Sequence, residues 1–264
     1  MNEQWQEVAD RVFVRRHKSF DLNVGLVVGD GHCLVLDTRM SHAQGRDLIE
    51  AIRKITDAPW TVVNSHAHFD HFFGNAVFRP AEIWGLARTA ELIVEHGAEQ
   101  RERVIGWRPQ DAEELAEVVI DPPDHTFVET STLDIGGRAV HMRYFGRGHT
   151  DNDLVLHVED AGVIFAGDLV EEGAPPAFND GYPLDWPGTL DAMLAGFSGE
   201  VVVPGHGAVV DRAYVRGQRE DLAVTAEVAR RAHAEGRTDL LSEIPFPEGA
   251  AKDALERAFL QLSL

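Results

Sequence analysis

The sequence contains a single cysteine and no hydrophobic run long enough to cross a membrane. Cys33 lies in the apolar run CLVLDT; it cannot form an internal disulfide and is expected to be a buried structural thiol. The longest apolar runs have about the length of a β-strand. The N-terminus, MNEQWQEVADRVFV, lacks the basic and then apolar regions of a secretory signal. These absences predict a cytoplasmic protein that does not span a membrane.

Positive charge is also scarce. The 264 residues include 24 Lys and Arg against 44 Asp and Glu, which gives a formal net charge of −20. A surface of this sign repels phosphate backbones and argues against a nucleic-acid partner. Residues 148–211 contain no Lys or Arg but hold twelve Asp and Glu. This stretch is either a solvated acidic face, or it suits a neutral or cationic substrate or metal ions that offset the charge.

The pattern of apolar residues predicts strands and helices in two similar halves. Short β-branched runs at 8–16, 23–29 and 32–37 predict an N-terminal meander, and apolar spacing predicts a helix over 42–56. Further predicted strands are WTVVNSH, EIWGLA, 126–134, 138–145, DLVLHVE, GVIFAGD and VVVPGHG. Further predicted helices are 88–100, 188–196, 211–235 and 250–262, and part of 111–117 is also predicted to be helical. The sequence therefore predicts one domain, 1–264, with halves of about 1–125 and 126–264. In it, two sheets pack face to face with helices outside.

The stretch NSHAHFDHFFGN, residues 64–75, places four potential metal ligands within six positions. In an extended segment, residues two apart point the same way, so His66 and His68 can hold one ion. Asp70 and His71 follow and can face a second ion. Neutral imidazole and carboxylate are ligands that suit Zn²⁺ and similar divalent ions. Four ligands in one loop cannot all close around one ion without strain, so further ligands are expected elsewhere.

Three more candidate ligands lie beside glycines at the ends of predicted strands, where sites are commonly built. They are His149 in GRGHTDND, Asp168 in FAGDLV and His206 in VVVPGHG. Any one of them taken alone is more often structural. Together with the first cluster they form a set of seven, and the hypothesis of a metal site depends on the set.

The order of these motifs resembles the metallo-β-lactamase superfamily. The match begins at NVGLVVGDGHCLVLDT, where Asp37 matches the first motif of the family, and continues through HAHFDH, GHT, GD and PGHG. The resemblance implies an α/β (α+β) fold, a four-layer αββα sandwich of two mixed β-sheets flanked by helices, with the site at one edge of the sheets. It also implies two metal sites bridged by Asp168, one formed by His66, His68 and His149 and the other by Asp70, His71 and His206.

Two positions bear on the branch of the family. Many β-lactamases of this superfamily lack an aspartate at the position of Asp168, and a cysteine is common there. The aspartate is similar to the branch that includes thioesterases, lactonases, glyoxalase II-like enzymes and phosphodiesterases. In GHTDND, Asn152 stands where many members have a glycine; because it removes no ligand, we interpret it as a loop variant.

The resemblance favours a dinuclear metal-dependent hydrolase. Such an enzyme would cleave an ester, thioester, lactone or amide of a small substrate that is not strongly anionic, with a metal-bridging hydroxide as nucleophile. Zn²⁺ is the expected ion, with Mn or Fe as alternatives, and the sequence has no G-x-S-x-G elbow. Asp70 is also a catalytic candidate, because it can orient the hydroxide and pass a proton to the leaving group. Asp37 either orients a ligand histidine from behind or caps a turn.

Aromatic residues near the predicted ligands are candidates for an apolar substrate pocket, although they can equally pack onto the body of the protein. They are Phe69, Phe72, Phe178, Tyr182 and Trp186. Two other activities stay open: a mononuclear iron enzyme that oxidises persulfides, and a phosphodiesterase, which the negative charge disfavours. The expected partner is a small-molecule substrate, and association with further copies of the chain stays open.

Overall fold

The first of two β-sheets contains seven strands in their chain order. The computed structural model describes residues 3–263. The strands of this sheet are β1 (Trp5–Ala9), β2 (Val12–Arg16), β3 (Asn23–Val28), β4 (Cys33–Leu36), β5 (Trp60–Val63), β6 (Ile83–Leu86) and β7 (His125–Phe127). β1 to β4 form an antiparallel meander, and β4 to β7 are parallel. Parallel strands end at the same edge of a sheet, so the loop after β5 begins at that edge.

The second sheet contains the later strands in the order β13-β12-β11-β10-β9-β8. They are β8 (Thr130–Asp134), β9 (Ala139–Tyr144), β10 (Leu154–Val158), β11 (Val163–Glu171), β12 (Val201–His206) and β13 (Val210–Asp211). β11 and β12 are parallel, and the other neighbours are antiparallel. β9, β11 and β12 consequently run in one direction, and their C-terminal ends meet at one edge of this sheet.

Seven α-helices cover the sheets or their edges. They are α1 (His42–Ile52), α2 (Phe69–Phe72), α3 (Ala87–Trp107), α4 (Ala112–Ala116), α5 (Trp186–Gly196), α6 (Arg212–Glu235) and α7 (Glu248–Leu262), counted over residues 3–263. The N-termini of two helices are capped by side chains: Ser41 accepts the N–H of Gln44, and Asp211 accepts the N–H of Tyr214. Within the described chain, no helix has both the length and the apolar character needed to cross a bilayer.

Apolar side chains fill three layers of core. Between the sheets, Leu34 and Leu36 of the first sheet belong to the same buried cluster as Leu156 and Phe165 of the second. The opposite face of the first sheet packs on α1, and that of the second packs on α5 and α6. Because both faces of each sheet are covered, the central strands are continuously apolar. This arrangement confirms the four-layer αββα sandwich of two mixed sheets.

Several predicted element boundaries are wrong. The run 126–134 is not one strand, because β7 closes the first sheet and β8 opens the second, and no Gly or Pro marks the change. The run 8–16 is divided between β1 and β2 by a turn in which Arg11 has φ of 53°. The helix predicted over 88–100 extends from 87 to 107, and the one over 42–56 ends at 52.

Candidate metal centre

All seven predicted ligands lie at the shared edge of the two sheets. His66, His68, Asp70 and His71 lie in the loop after β5 and in α2, His149 lies between β9 and β10, Asp168 lies within β11, and His206 ends β12. The pairing of β11 with β12 is irregular around Gly167, which has φ of 54°. This irregularity occurs directly before Asp168, at a residue whose left-handed backbone suits glycine.

The ligand atoms form two adjacent groups. Those of His66, His68, His149 and Asp168 all lie within 4.8 Å of one another, and those of Asp70, His71 and His206 form a second group on the same criterion. Asp168 Oδ2 lies 3.4 Å from His149 Nε2 and 3.2 Å from His206 Nε2. Asp168 Oδ1 lies 3.4 Å from His71 Nε2. Asp168 therefore contacts both groups, in the position that a bridging ligand would take.

Unpaired buried atoms at this centre fit bound metal ions. His66 Nε2, His71 Nε2 and Asp168 Oδ1 are buried and have no hydrogen-bond partner within residues 3–263. A buried polar atom without a partner costs about 1–3 kcal/mol, and here three of them face one another. Imidazole nitrogens and carboxylate oxygens are the usual ligands of zinc-like ions. The residues present therefore fit divalent cations in both groups.

The second ring nitrogen of each histidine has its own partner, which determines the nitrogen that faces the centre. The pairs are His66 Nδ1 with Ser65 Oγ at 3.0 Å, His68 Nε2 with Asp180 Oδ2 at 3.0 Å, His71 Nδ1 with Asp37 Oδ2 at 2.8 Å, His149 Nδ1 with the Ala177 carbonyl at 3.2 Å, and His206 Nδ1 with the Phe20 carbonyl at 2.7 Å. His68 thus presents Nδ1 to the centre, and the other four present Nε2.

The structure places Asp37 directly behind the ligands. Its Oδ1 accepts the N–H of Ser65 at 2.8 Å, and its Oδ2 accepts the hydroxyl of Ser65 at 2.8 Å and contacts His71 Nδ1. The carboxylate is only 2% exposed. Of the two interpretations of the sequence, the geometry favours the orientation of a ligand histidine.

Burial and the neighbouring carboxylates shift the pKa values of the candidate ligands in different directions. Burial lowers the pKa of His66 well below its usual value and that of His149 to about 4. Burial opposes protonation of His206 as well, but Asp168 and Asp70 outweigh it and raise the pKa of His206 to about 10. Burial disfavours the charged form of Asp168, yet the surrounding histidines, His206 first, hold its pKa well below the usual value. The Asp168 carboxylate is thus ionised, as metal binding requires.

A cavity of about 840 Å³ opens above the ligands. One wall is aromatic: Phe20 and Phe69 lie 5.3 Å apart edge to face, and Trp107 lies 5.8 Å from Phe69. The lining also includes Glu171, which ends β11, and Asp180 in the segment that follows β11. The lining of the cavity therefore combines aromatic side chains with carboxyl groups.

The structure corrects the predicted aromatic pocket. Phe69 lines the cavity, but Phe72 is 1% exposed and packs in the core beneath α3. Phe178 and Trp186 pack on each other within the core of the second sheet. Tyr182 contacts the Arg147 guanidinium and is not among the residues that line the cavity. Whether an aromatic side chain beside a ligand turns inward or outward depends on the packing of other elements, which the local sequence does not show.

Sequence reasoning missed two aromatic wall residues and the role of an asparagine. Phe20 and Trp107 lie far from the ligand motifs in sequence. Asn152 is 2% exposed, and its Oδ1 accepts the N–H of Ala67 at 2.9 Å and the hydroxyl of Thr89 at 3.0 Å. Because Ala67 separates two ligand histidines, Asn152 is part of the support of the centre rather than a neutral loop variant.

Comparisons with known proteins agree with this geometry. The family described as the Metallo-beta-lactamase superfamily matches residues 20–206, a range that contains all seven candidate ligands. The metallo-beta-lactamase type 2 of Bacteroides fragilis is 28% identical over 189 residues, which cover 69% of this chain and 68% of that protein. A solved metallo-beta-lactamase from Pontibacter korlensis superposes with a TM-score of 0.70 at 21% identity, over 83% of this chain and 98% of the other. The double mutant of the sec-alkyl sulfatase PisA1 gives a TM-score of 0.79 at 16% identity, over 99% of this chain and 50% of its own.

Proposed function

The chain belongs to the metallo-beta-lactamase superfamily, and from that premise we propose that it is a dinuclear metal-dependent hydrolase that cleaves an ester, thioester, lactone or amide. The observation that carries the proposal is the convergence of two ligand groups on Asp168. Three of the converging atoms are buried and have no partner in the described chain, His66 Nε2, His71 Nε2 and Asp168 Oδ1. Two divalent ions, most simply Zn²⁺, would satisfy them.

The chain supplies the proton transfers and the positioning. Divalent ions bound at such a site supply Lewis-acid activation of a water molecule and of the substrate carbonyl. Asp70 lines the cavity, and its Oδ2 lies 3.6 Å from His206 Nε2. It can accept a proton from the attacking water and return it to the leaving group. Among the described residues that line the cavity there is no Ser, Thr or Cys, which supports hydrolysis by activated water rather than through a covalent intermediate.

The cavity supports a small substrate that is not strongly anionic. Its volume lies in the range of small-molecule sites, which is about 300–1,000 Å³. Asp21, Glu172 and Asp180 line it, whereas burial raises the pKa of Glu171 to about 8, so this fourth carboxyl group is largely uncharged at neutral pH. Arg103 is the one Lys or Arg of the described chain that lines the cavity. A multiply charged anion would meet repulsion there, whereas the aromatic wall can pack against an apolar portion of a neutral substrate.

A β-lactam amide is the second candidate, because relatives named as metallo-beta-lactamases match most of the chain. Asp168 favours an ester, thioester or lactone over a β-lactam, because it resembles the branch of thioesterases and lactonases described above. A mononuclear iron enzyme receives less support, because both ligand groups are complete here.

A hydrolysis panel tests the proposal. Lactones, thioesters, carboxylic esters, phosphodiesters and a chromogenic cephalosporin are incubated with the Zn, Mn and Fe forms of the protein. We expect at least one carbonyl substrate to be cleaved, and we expect cleavage to stop on chelation and in Asp168→Ala. Asp191→Ala, at an exposed position that pairs with Arg219, is the matched control and should retain activity. Turnover that survives chelation, or a fully loaded protein that cleaves no carbonyl substrate of the panel, would contradict the proposal.

A further inference from the structure

We propose that the segment 177–182 is a positioning element of the metal centre, which orients His68 and His149 and is itself held by Arg257 of α7. The inference rests on the proposed function in so far as that function requires metal ions at this centre. It assigns to a cavity loop and to the C-terminal helix a role in metal binding that no ligand motif indicates.

The segment contacts two histidines of one ligand group. Asp180 Oδ2 lies 3.0 Å from His68 Nε2, and the Ala177 carbonyl lies 3.2 Å from His149 Nδ1. The opposite nitrogens of these two rings, His68 Nδ1 and His149 Nε2, lie 2.9 Å apart at the centre. A hydrogen bond to the outer nitrogen of a ligand histidine fixes its tautomer and the orientation of its ring. The segment therefore determines how both rings face a bound ion.

Contacts from distant parts of the chain hold the segment. Arg257 donates from Nε to the Gly181 carbonyl and from Nη2 to the Asp180 carbonyl, both at 3.0 Å. The N–H of Tyr182 donates to the Gly148 carbonyl at 2.7 Å, next to a ligand. The planar guanidinium is suited to two neighbouring acceptors at once, which an ammonium group is not. Arg257 thus connects α7 to the backbone of the residue that contacts His68.

The other ligand group is supported from elsewhere. His71 is held by Asp37, and His206 by the Phe20 carbonyl, neither of which belongs to the segment. A change in Asp180 or Arg257 should therefore lower the affinity for one bound ion and leave the affinity for the second almost unaffected. The side chain of Asp180 is 55% exposed, so solvent screens its interaction. We expect an effect near the lower end of the 10–100-fold range found for such partners.

The test measures metal binding, which does not depend on any substrate. The variants are Asp180→Ala, Asp180→Asn, Arg257→Ala and Arg257→Lys, with Asp239→Asn and Arg219→Ala as controls at exposed ion pairs. Zinc affinities come from competition with a chromophoric chelator, and the electronic spectrum of the Co²⁺ form reports ligand geometry. Thermal unfolding of the chelated proteins shows whether each variant folds.

Asp180→Ala should lower the affinity of one of two ions by about 10-fold and shift the Co²⁺ spectrum of that ion. Asp180→Asn should lose less, because its amide oxygen can still accept from His68. Arg257→Ala should lower the affinity for the same ion, and Arg257→Lys should recover part of that affinity.

Two outcomes would overturn the inference. In the first, Asp180→Ala and Arg257→Ala both keep the affinities and the spectrum of the unchanged protein. In the second, the affinities for both ions fall equally, which would indicate a general effect on the fold instead of an effect on His68. A protein that binds two ions, shows the selective loss and yet hydrolyses nothing would separate a failure of the proposed function from a failure of this inference.

Discussion

Ala67, between the candidate ligands His66 and His68, has both of its backbone groups bound by buried side chains. Its N–H donates to Asn152 Oδ1 at 2.9 Å, and its carbonyl accepts from Gln100 Nε2 at 2.8 Å. Asn152 belongs to the loop before β10 and Gln100 to α3, so two separate elements fix the backbone from which both histidines project. The side chain of Ala67 is small, and Asn152 and Gln100 hold its backbone in place.

We predict that Asn152→Gly destabilises the protein by about 1–3 kcal/mol, because the buried N–H of Ala67 loses its acceptor. The measurement is the free energy of unfolding in urea on the chelated protein. Asn179→Gly, at an exposed position on the rim of the cavity, is the control for the added backbone freedom of glycine and should cost no more than about 1 kcal/mol. Equal stability of the two variants would refute the role assigned to Asn152.

His17 makes the stability of the fold sensitive to acid. Burial, followed by the nearby guanidinium groups of Arg39 and Arg15, lowers its pKa to about 2. Neither ring nitrogen has a hydrogen-bond partner within the described residues. The folded pKa lies below the unfolded value of about 6.5, so the unfolded chain takes up the proton first. The stability that the fold gains from keeping His17 neutral is fully present above about pH 6.5, and it is lost as the pH falls toward 2.

We predict that His17→Phe reduces this sensitivity. Between pH 7.5 and 5.0 the unchanged protein should lose about 2 kcal/mol more stability than the variant, at 1.36 kcal/mol per unit of pKa difference. Any packing cost of the phenyl ring is independent of pH and cancels in the comparison. Urea unfolding at the two pH values measures the difference, with His96→Phe on the exposed face of α3 as control. Identical slopes for His17→Phe and the unchanged protein would show that His17 does not titrate in this way.

At the residue scale, the candidate ligands that the sequence predicts do converge, whereas the predicted pocket walls are mostly wrong. The convergence of His149, Asp168 and His206 could be predicted because a ligand must be a particular residue type, and because each candidate lies at or near the end of a strand. Trp107 and Phe178 could not be assigned correctly, since either aromatic side chain can pack inward or line a cavity. Only the packing of α3 and of the second sheet decides between these positions.

Among the secondary-structure elements, β12 depends most on the absence of a side chain. A Cβ atom on Gly205 would lie 1.7 Å from Asp168 Oδ1 on the neighbouring strand β11. The motif PGHG therefore contributes the candidate ligand His206 and also leaves the space that Asp168 occupies.

Gly205→Ala should displace Asp168 and lower turnover by about 10²-fold or more, as expected for a misplacement near 1 Å. It should also reduce metal content, although no ligand is changed. Gly217→Ala is the matched control, because nothing lies within 4 Å of a Cβ at that position of α6. It should stabilise the protein by up to about 1 kcal/mol. The comparison uses kcat and the number of ions per chain, and an active, fully loaded Gly205→Ala would contradict the account.

The sequence predicts the type of most helices and strands better than it predicts the residues at which they begin and end. The helix 211–235 is confirmed almost to the residue, because Asp211 caps it and Gly236 ends it with φ of 65°. The exchange between sheets at 128–129 has no such signal. Strand pairing is decided by partners distant in sequence, and for this reason the sequence alone predicts a single strand over 126–134.

For the molecule as a whole, the metal centre connects the two sheets. The loop after β5 of the first sheet and α2 provide four candidate ligands, and the second sheet and its loops provide the other three, His149, Asp168 and His206. Asn23 adds a protein contact at the same edge, donating to the carbonyls of Pro204 and Gly207 at 2.9 Å. Ions bound there should hold the sheets together.

Removal of metal should therefore lower the melting temperature. An ion at 100 times its Kd stabilises the folded state by about 2.7 kcal/mol. At about 2–4 °C per kcal/mol for a chain of this size, each ion should add roughly 5–10 °C. Calorimetry with and without chelator measures the shift. A melting temperature that does not respond to zinc or to chelator would show that the ligand groups do not bind ions in the folded state.

The four-layer architecture follows from the sequence because both sheets are covered on both faces and their strands are correspondingly apolar. The division of the chain into halves of about 1–125 and 126–264 within one domain stays a prediction. The ligand motifs predict the substrate only as a broad class, since much of the cavity wall comes from α3, from the segment before β3 and from the segment after β11, which contain no ligand motif.

The most direct test of the central claim is the metal content of the purified protein after equilibration with zinc, measured by mass spectrometry for the unchanged chain and for His149→Ala and His206→Ala. We predict two ions per chain for the unchanged protein and about one for each variant, because each substitution removes a ligand from a different group. Two ions retained in both variants, or an unchanged protein that binds none and is still active, would contradict the account.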